Sequence, residues 1–552
     1  MLADRQDSCS RGNYPRGRGG FRNRGGRCRC AAHQARSDQQ NWGQCGRGRQ
    51  GRMMSGLPGL LLLVFLLAPA AGLMRMAGHA PEPFWPSFFL TWFAYGLMVW
   101  WANRRWHLAG AVLLAGLIAH GAGVAWVGEA FLVDADRFGH LRHGAVILLG
   151  AVLALTDLLC FLLLWRRDLG FVPSLARAIL ALSLGELLRR VILGGFPWNL
   201  QAYGLADTGL DQLVYQLGSH GLPLFLGLLL LASLWAWKFG RYYLVPLPMI
   251  LVGALAFWGS QRDLPEPRDE KIRIVQPSIP QELKWVRVLR DAHVDRILGL
   301  ANKPGSFDIL VFPENALPVD IMRNPQVRRD IMQAGDGQHD FLGGQLIFLN
   351  PEQTQVRNAL ITLDRGGDIT ASYAKRRLVP FGEQLPFRAF LEPLGLDKLF
   401  PMNVDFEVGD ARHSLPLLQT GLTAQPLICF EAAFPEARAG DDHFLVNVTN
   451  DAWFGTSHGP HQHLMAARYR AMETGLPVLR AANTGISAII DARGGITASL
   501  GLQIEGLVED QLPGRYAPGL FAKIGEWVLV PILAAWMLVM GLVPWIRNRR
   551  NK

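Results

Sequence analysis

Pro426-Leu427-Ile428-Cys429-Phe430-Glu431-Ala432-Ala433-Phe434 is a short apolar run that stops on a thiol, an aromatic ring and a carboxylate. A buried strand ends this way when it delivers a nucleophile to its open end. By itself the stretch also suits a core cysteine, the commoner role of a lone thiol after Leu-Ile. Its company shifts the reading: Val311-Phe-Pro-Glu-Asn315, Tyr373-Ala-Lys-Arg-Arg-Leu-Val-Pro-Phe-Gly-Glu383 and Asn447-Val-Thr-Asn-Asp-Ala-Trp-Phe-Gly455 each set a polar residue at, or just after, the end of an apolar run.

Outward from Cys429, residues 270 to about 515 carry apolar runs of strand length at Ile272 to Val275, Ile309 to Phe312, Leu427 to Phe430, Phe444 to Val448 and Ser487 to Ile490. Helical or irregular segments separate them, the pattern of a layered α/β or α+β domain. Leu385 to Met402 is rich in Phe, Leu and Pro without clear periodicity, and reads either as a segment packed on the domain or as a lid that dips into a membrane surface.

A thiol suits acyl transfer, because the thiolate attacks a carbonyl and leaves again from the thioester. At neutral pH it needs a base, and Glu314, presented after Ile309 to Phe312, is the candidate. Lys375 suits the oxyanion of the tetrahedral intermediate. Glu383 could orient Lys375 or join the proton transfers, and Glu431 could do the same beside the nucleophile.

Half of the 552 residues are hydrophobic, too many for an ordinary soluble enzyme of this length. Seven apolar stretches lie near residues 57 to 74, 84 to 102, 107 to 127, 143 to 165, 174 to 193, 218 to 238 and 243 to 259, and an eighth at Gly525 to Ile546. Arg104-Arg105, Arg166-Arg167, Lys238 with Arg241, and the tail from Arg547 to Lys552 fall on alternate connections, which face the cytoplasm by the positive-inside rule. Residues 260 to 524 are then expected on the opposite side. Within the fifth span Glu186 is expected to pair with Arg189 and Arg190, and no charge cluster beyond Glu186 is evident in the spans, which argues against a transporter.

The net charge of +10 invites a nucleic-acid reading, but residues 1 to 52 hold twelve Arg against three Asp, so +9 lies there and about +1 elsewhere. No nucleic-acid partner is expected for the catalytic body. That Arg/Gly-rich segment is too poor in apolar residues to fold and reads as an upstream extension or a mis-called start ahead of Met53 or Met54. Four of the six cysteines fall in it, and neither a disulfide framework nor a metal spacing follows. No cofactor is expected. The expected organisation is 1–53 disordered, 54–262 a seven-helix membrane domain, 263–518 the catalytic domain, and 519–552 a last membrane helix with a basic tail.

Glu314, Lys375 and Cys429, in that chain order, resemble the Glu-Lys-Cys triad of the nitrilase superfamily, which implies an αββα sandwich. Ile279-Pro-Gln-Glu-Leu-Lys-Trp285, Tyr373-x-Lys-x-x-Leu-Val-Pro-Phe-Gly-Glu383, Cys429-Phe-Glu431, Asn450-Asp-Ala-Trp-Phe-Gly455, Arg480 with Asn483, and Gly195-Phe-Pro-Trp198 are similar to a membrane branch of it, the bacterial apolipoprotein N-acyltransferases. The resemblance covers nearly everything from Met54 onward. It implies transfer of an acyl chain from a membrane phospholipid, through Cys429, to the α-amine of the diacylglyceryl-cysteine of apolipoproteins. It further implies a monomer in the bacterial inner membrane, with the catalytic domain on the outer side and Trp285, Glu431 and Trp453 lining the pocket. Where an aromatic hydroxyl often follows the nucleophile in that family, this chain has Phe430. A membrane-tethered amidase would use the same triad with water as second nucleophile; the eight-span frame and the apolar segment argue against it.

Overall fold

The computed structural model describes residues 57–167, 169–352, 354–385, 388–391, 393, 405–436 and 440–550. The expectation for residues 1 to 52 lies outside them, as does that for Leu385 to Met402 apart from Leu385, the one-turn helix Arg388–Leu391 and Pro393.

Among the described residues, seven long helices precede the first strand: α1 (Gly59–Met76), α2 (Pro86–Trp101), α3 (Arg105–Gly123), α4 (Arg142–Leu164), α5 (Phe171–Arg189), α6 (Val214–Lys238) and α7 (Pro246–Ser260). Seven helical stretches of the described chain are long and apolar enough to cross a membrane, six of them here and one at Leu520–Gly541. The remaining one of the seven, α2, carries no charged residue but has only 16 residues. Lipid, unlike water, offers backbone groups no partner, so apolar runs of this length close their own hydrogen bonds as helices. α5 lies at the centre of the bundle and is mostly buried, whereas α7 leaves almost its whole surface outward, as an apolar helix can only do towards lipid.

Residues 271–511 form two stacked sheets. The first orders its strands β13 (Gly506–Gln511), β1 (Lys271–Gln276), β2 (Ile309–Phe312), β3 (Asp340–Phe348), β4 (Gln355–Leu363) and β5 (Ile369–Ala374), with β6 (Asp405–Phe406) pairing to β4. The second orders β12 (Ile496–Leu500), β11 (Ser487–Ile490), β10 (Val478–Ala482), β9 (Phe444–Thr449), β8 (Thr423–Ile428) and β7 (Leu415–Pro416). Period-2 alternation sorts their side chains. Ile272, Ile274, Ile309, Val311, Val446, Val448, Leu479 and Ile489 meet between the sheets. Val275, Leu310, Phe312 and Phe341 face instead α8 (Arg290–Ala301) and α9 (Pro325–Met332). Leu427, Leu445 and Val478 face α10 (Gly459–Thr474). Layers run helix, sheet, sheet, helix, the αββα order.

α10 is buried on both sides. Leu464, Ala467 and Ala471 pack on the sheet, while Met465, Ala466, Tyr469 and Met472 join the core of the membrane helices. The Tyr469 hydroxyl donates to the Ala202 carbonyl in the connection between α5 and α6. α11 (Leu529–Arg550) closes the chain, with Trp536 fully buried and its indole N–H donated to the Leu224 carbonyl of α6 at 3.1 Å.

The membrane part holds more charge than its sequence suggests. Asp157 of α4 is fully buried between Arg75 of α1 (2.6 Å), His120 of α3 (2.8 Å) and Arg189 of α5 (3.7 Å). Arg189 also pairs with Glu186 at 3.4 Å. The expectation of no cluster beyond Glu186 is therefore corrected: Arg75, His120 and Asp157 sit singly on three helices, and only packing gathers them with Arg189 and Glu186 of α5. Arg190 does not join Glu186. It turns to Glu526 at 2.9 Å and Glu436 at 3.8 Å.

Candidate active site

Within each sheet parallel strands set their carboxyl ends on one side, and the residues that follow β2, β8 and β9 are Glu314, Cys429 and Asp451. Cys429 takes up a left-handed backbone (φ 49°), where β8 breaks into the one-turn helix Cys429–Ala433. A side chain at such a φ costs roughly 1–2 kcal/mol and persists when its surroundings over-determine it. Glu431 supplies that restraint, accepting from Ile428 N (2.8 Å), Arg376 N (2.9 Å) and the Tyr373 hydroxyl (2.8 Å). On the other side, His463 Nε2 lies 3.0 Å from the Cys429 carbonyl, and its Nδ1 2.8 Å from Asp451. Arg480 completes the support by donating to Asp451 at 2.7 Å and to Asn447.

The charged cluster faces the thiol. Lys375 Nζ lies 2.8 Å from Glu383 Oε1 and 3.3 Å from Glu314 Oε1. Asn358 Nδ2 donates to the same two oxygens, at 2.6 Å to Glu314 and 3.0 Å to Glu383. Register explains the meeting: Ala359 pairs with Ala374, so Asn358 and Lys375 are neighbours across the β4–β5 edge, and Lys375 N donates to Asn358 O at 2.8 Å. Gly344 of β3 allows the approach, since a Cβ there would stand 2.5 Å from the Glu314 Cα. Glu314, Lys375, Cys429, Glu431 and Glu383 are all buried.

Aromatic residues from the membrane connections wall the site. Phe430 packs with Trp198, Phe196 and Phe434, and Phe454 stands against Trp126 with ring centroids 4.4 Å apart. Gln462 Oε1 receives Trp126 Nε1 (2.9 Å), Trp198 Nε1 (2.8 Å) and Asn199 Nδ2 (3.1 Å), which ties two connections of the membrane bundle to the residue beside His463. The turn that delivers Trp198 needs Gly195 (φ 91°), where a Cβ would lie 2.3 Å from the Arg190 carbonyl. With no hydroxyl at position 430, the ring serves only as apolar wall. Trp285 packs with Leu346, Val356, Leu378 and Phe406, and its buried indole N–H has no partner among the described residues. Trp453 is half-buried on the turn Asp451–Phe454.

Several residues that shape the site escape a reading by motif. Asn358 alternates on a strand like any solvent-facing polar residue, and Gln462 and His463 lie inside a helix of ordinary composition. Lys284 stood in a quoted motif without a role; it is fully buried, its Nζ lies 3.3 Å from the Glu314 carbonyl, and burial lowers it to about 8.

The electrostatics are those of a resting nucleophile. Burial opposes charge on Lys375, but Glu314 and Glu383 hold the ammonium well above its ordinary range. Burial, then the Glu314 carboxylate, pushes the Cys429 thiol up, with Lys375 opposing. The thiol thus keeps its proton at neutral pH until a base takes it. Alkylation of Cys429 by iodoacetamide is accordingly expected to accelerate about tenfold per pH unit from pH 7 to at least pH 9, as the thiolate fraction grows. A rate already flat by pH 8 would contradict this account.

Two family models match: carbon-nitrogen hydrolase over residues 271–516, and the apolipoprotein N-acyltransferase N-terminal domain over residues 71–234. The apolipoprotein N-acyltransferase of Rhodopseudomonas palustris is 35% identical over 515 residues, covering 87% of this chain and 94% of its own. The chain belongs to the apolipoprotein N-acyltransferase family. Another relative, the apolipoprotein N-acyltransferase of Brucella suis biovar 1, is 36% identical over 455 residues, covering 78% of this chain and 84% of its own. Among solved structures, an amidase from Nesterenkonia sp. matches 47% of this chain and 95% of its own at 18% identity, with a TM-score of 0.34. Membership in the apolipoprotein N-acyltransferase family agrees with a membrane bundle and an αββα sandwich in one chain.

Proposed function

We propose that this protein moves an acyl chain from a membrane phospholipid to the α-amine of an apolipoprotein's diacylglyceryl-cysteine, through a thioester on Cys429. The observation that carries the reading is a buried cysteine on a strained strand end, facing Lys375 and two carboxylates and walled by aromatic rings from membrane connections. In the first half, Glu314 takes the thiol proton and the thiolate attacks the ester carbonyl. Lys375 stabilises the oxyanion, and collapse expels the lysophospholipid alkoxide, which recovers the proton from Glu314. In the second half the acceptor amine attacks the thioester, Cys429 leaves as thiolate, and the proton lost by nitrogen returns to it through Glu314. Glu383 and Asn358 hold Lys375 and Glu314 in place.

The aromatic wall favours transfer over hydrolysis, because a thioester that waits for an amine must be shielded from water. All groups named come from one chain, so a monomer is the proposed active unit. The location is a bacterial inner membrane with the sandwich on its outer side. The Trp126 and Trp198 connections, which meet the sandwich, alternate with the basic connections at Arg104-Arg105, Arg166-Arg167 and Lys238 to Arg241. Reporters fused after Arg262 and after Lys552 are expected on opposite sides of the membrane; the same side for both rejects that topology.

Intact-mass measurement tests the chemistry. Full-length protein given phospholipid without acceptor should gain one acyl chain on Cys429, released by neutral hydroxylamine and discharged by a diacylglyceryl peptide with a free α-amine. Discharge by water as fast as by the peptide would favour an amidase, and no adduct on Cys429 would remove the mechanism.

A further inference from the structure

As the chain leaves β5, alternation turns Tyr373 and Lys375 inward and Arg376 outward. Arg376 then lines a cavity of about 610 Å³, together with Arg412 of the sandwich, Glu436 beyond the one-turn helix Cys429–Ala433, and Arg190, Glu526 and Trp527 from the ends of membrane helices. Glu314, Lys375 and Cys429 do not line it. Its depth follows from its walls: Arg190 is the residue after α5, and Glu526 and Trp527 precede α11. Trp527 is 72% exposed, the placement of an interfacial tryptophan. The cavity therefore opens where two membrane helices leave the apolar layer.

Its charges do not balance. Arg190 lies between Glu526 and Glu436, and Glu436 also takes Arg377. Arg376 and Arg412 form no ion pair among the described residues; Arg412 is hydrogen-bonded with the Tyr373 hydroxyl, and its Nε is buried without a partner. Three arginines thus line the cavity against two carboxylates, one of which is also taken by Arg377 from outside the lining. A surplus of forked donors in a cavity of this size, at headgroup depth, matches the oxygens of a phosphate.

We propose that this cavity binds the phosphodiester headgroup of an anionic membrane lipid, at a site separate from the acyl-transfer cluster. The inference does not depend on the proposed reaction. It is tested with full-length protein in micelles and dialkyl phosphatidylglycerol, an ether lipid with no acyl ester to donate. Native mass spectrometry should show one retained lipid. Binding should weaken at least about tenfold in Arg376→Gln/Arg412→Gln, as expected for losing two charge-assisted contacts, and less in Arg376→Lys/Arg412→Lys. Dialkyl phosphatidylcholine should bind wild type and both variants alike. Equal retention of phosphatidylglycerol by wild type and the glutamine variant overturns the site, and displacement by millimolar inorganic phosphate overturns its assignment to lipid. Should the glutamine variant fail to fold, wild type decides the matter: a headgroup-photoreactive dialkyl phosphatidylglycerol should crosslink to residues 412–425 or 525–527, and crosslinks found only elsewhere reject the proposal.

Discussion

Glu314→Gln protein should charge Cys429 with an acyl chain at least about 100-fold more slowly than wild type, the usual scale for removing a positioned base. The substitution keeps an oxygen where Asn358 and Lys375 both reach Glu314 Oε1, so the cluster should hold its shape while losing its proton acceptor. Lys375→Met is expected to slow charging by a comparable factor for a different reason, the loss of the cation beside the oxyanion. It also leaves Glu314 and Glu383 facing each other without the cation they share, with Asn358 still bridging them. Residual charging of Glu314→Gln should rise with pH, because with the base gone only the growing thiolate fraction of Cys429 reacts. Single-turnover intact-mass kinetics read both variants, and Glu314→Gln charging within about threefold of wild type would deny Glu314 its role.

Asp157→Asn should lose stability on the order of 3–5 kcal/mol, the cost of taking one partner from a buried ion cluster. Asp157 is fully buried between Arg75, His120 and Arg189, and without it Arg189 keeps its pair with Glu186 while Arg75 loses its ion pair. The effect should reach the site. α3 and α5, which carry His120 and Arg189, lead into the Trp126 and Trp198 connections held by Gln462, and the next residue, His463, contacts the Cys429 carbonyl. A melting temperature lower by several degrees in detergent is expected. Adding Arg75→Met restores charge balance and should recover part of the loss, since the two positions are coupled. If Asp157→Asn melts with wild type, the cluster does not hold the bundle.

What the sequence by itself determined was whatever is written in short windows. Apolar runs of membrane length announced the helices, because lipid demands that each segment satisfy its own backbone. Strand-length runs that stop on Glu314, Cys429 and Asp451 announced the open end of a layered domain, because alternation and burial are local properties of a strand. The order Glu314, Lys375, Cys429 then pointed to the family. Tertiary structure alone decided the rest. Arg75, His120 and Asp157 look like isolated polar residues on three apolar helices, and their meeting with Arg189 is invisible to hydropathy, which does not say which helix faces meet. Arg190 pairs with Glu526, more than three hundred residues away, instead of Glu186 one turn back. Asn358 reaches Glu314 only through the register of β4 with β5, and the left-handed backbone of Cys429 is held by Glu431, on which Tyr373 and Arg376 converge, and by His463. These are contacts between surfaces far apart in the chain, and no window of sequence contains both sides of them.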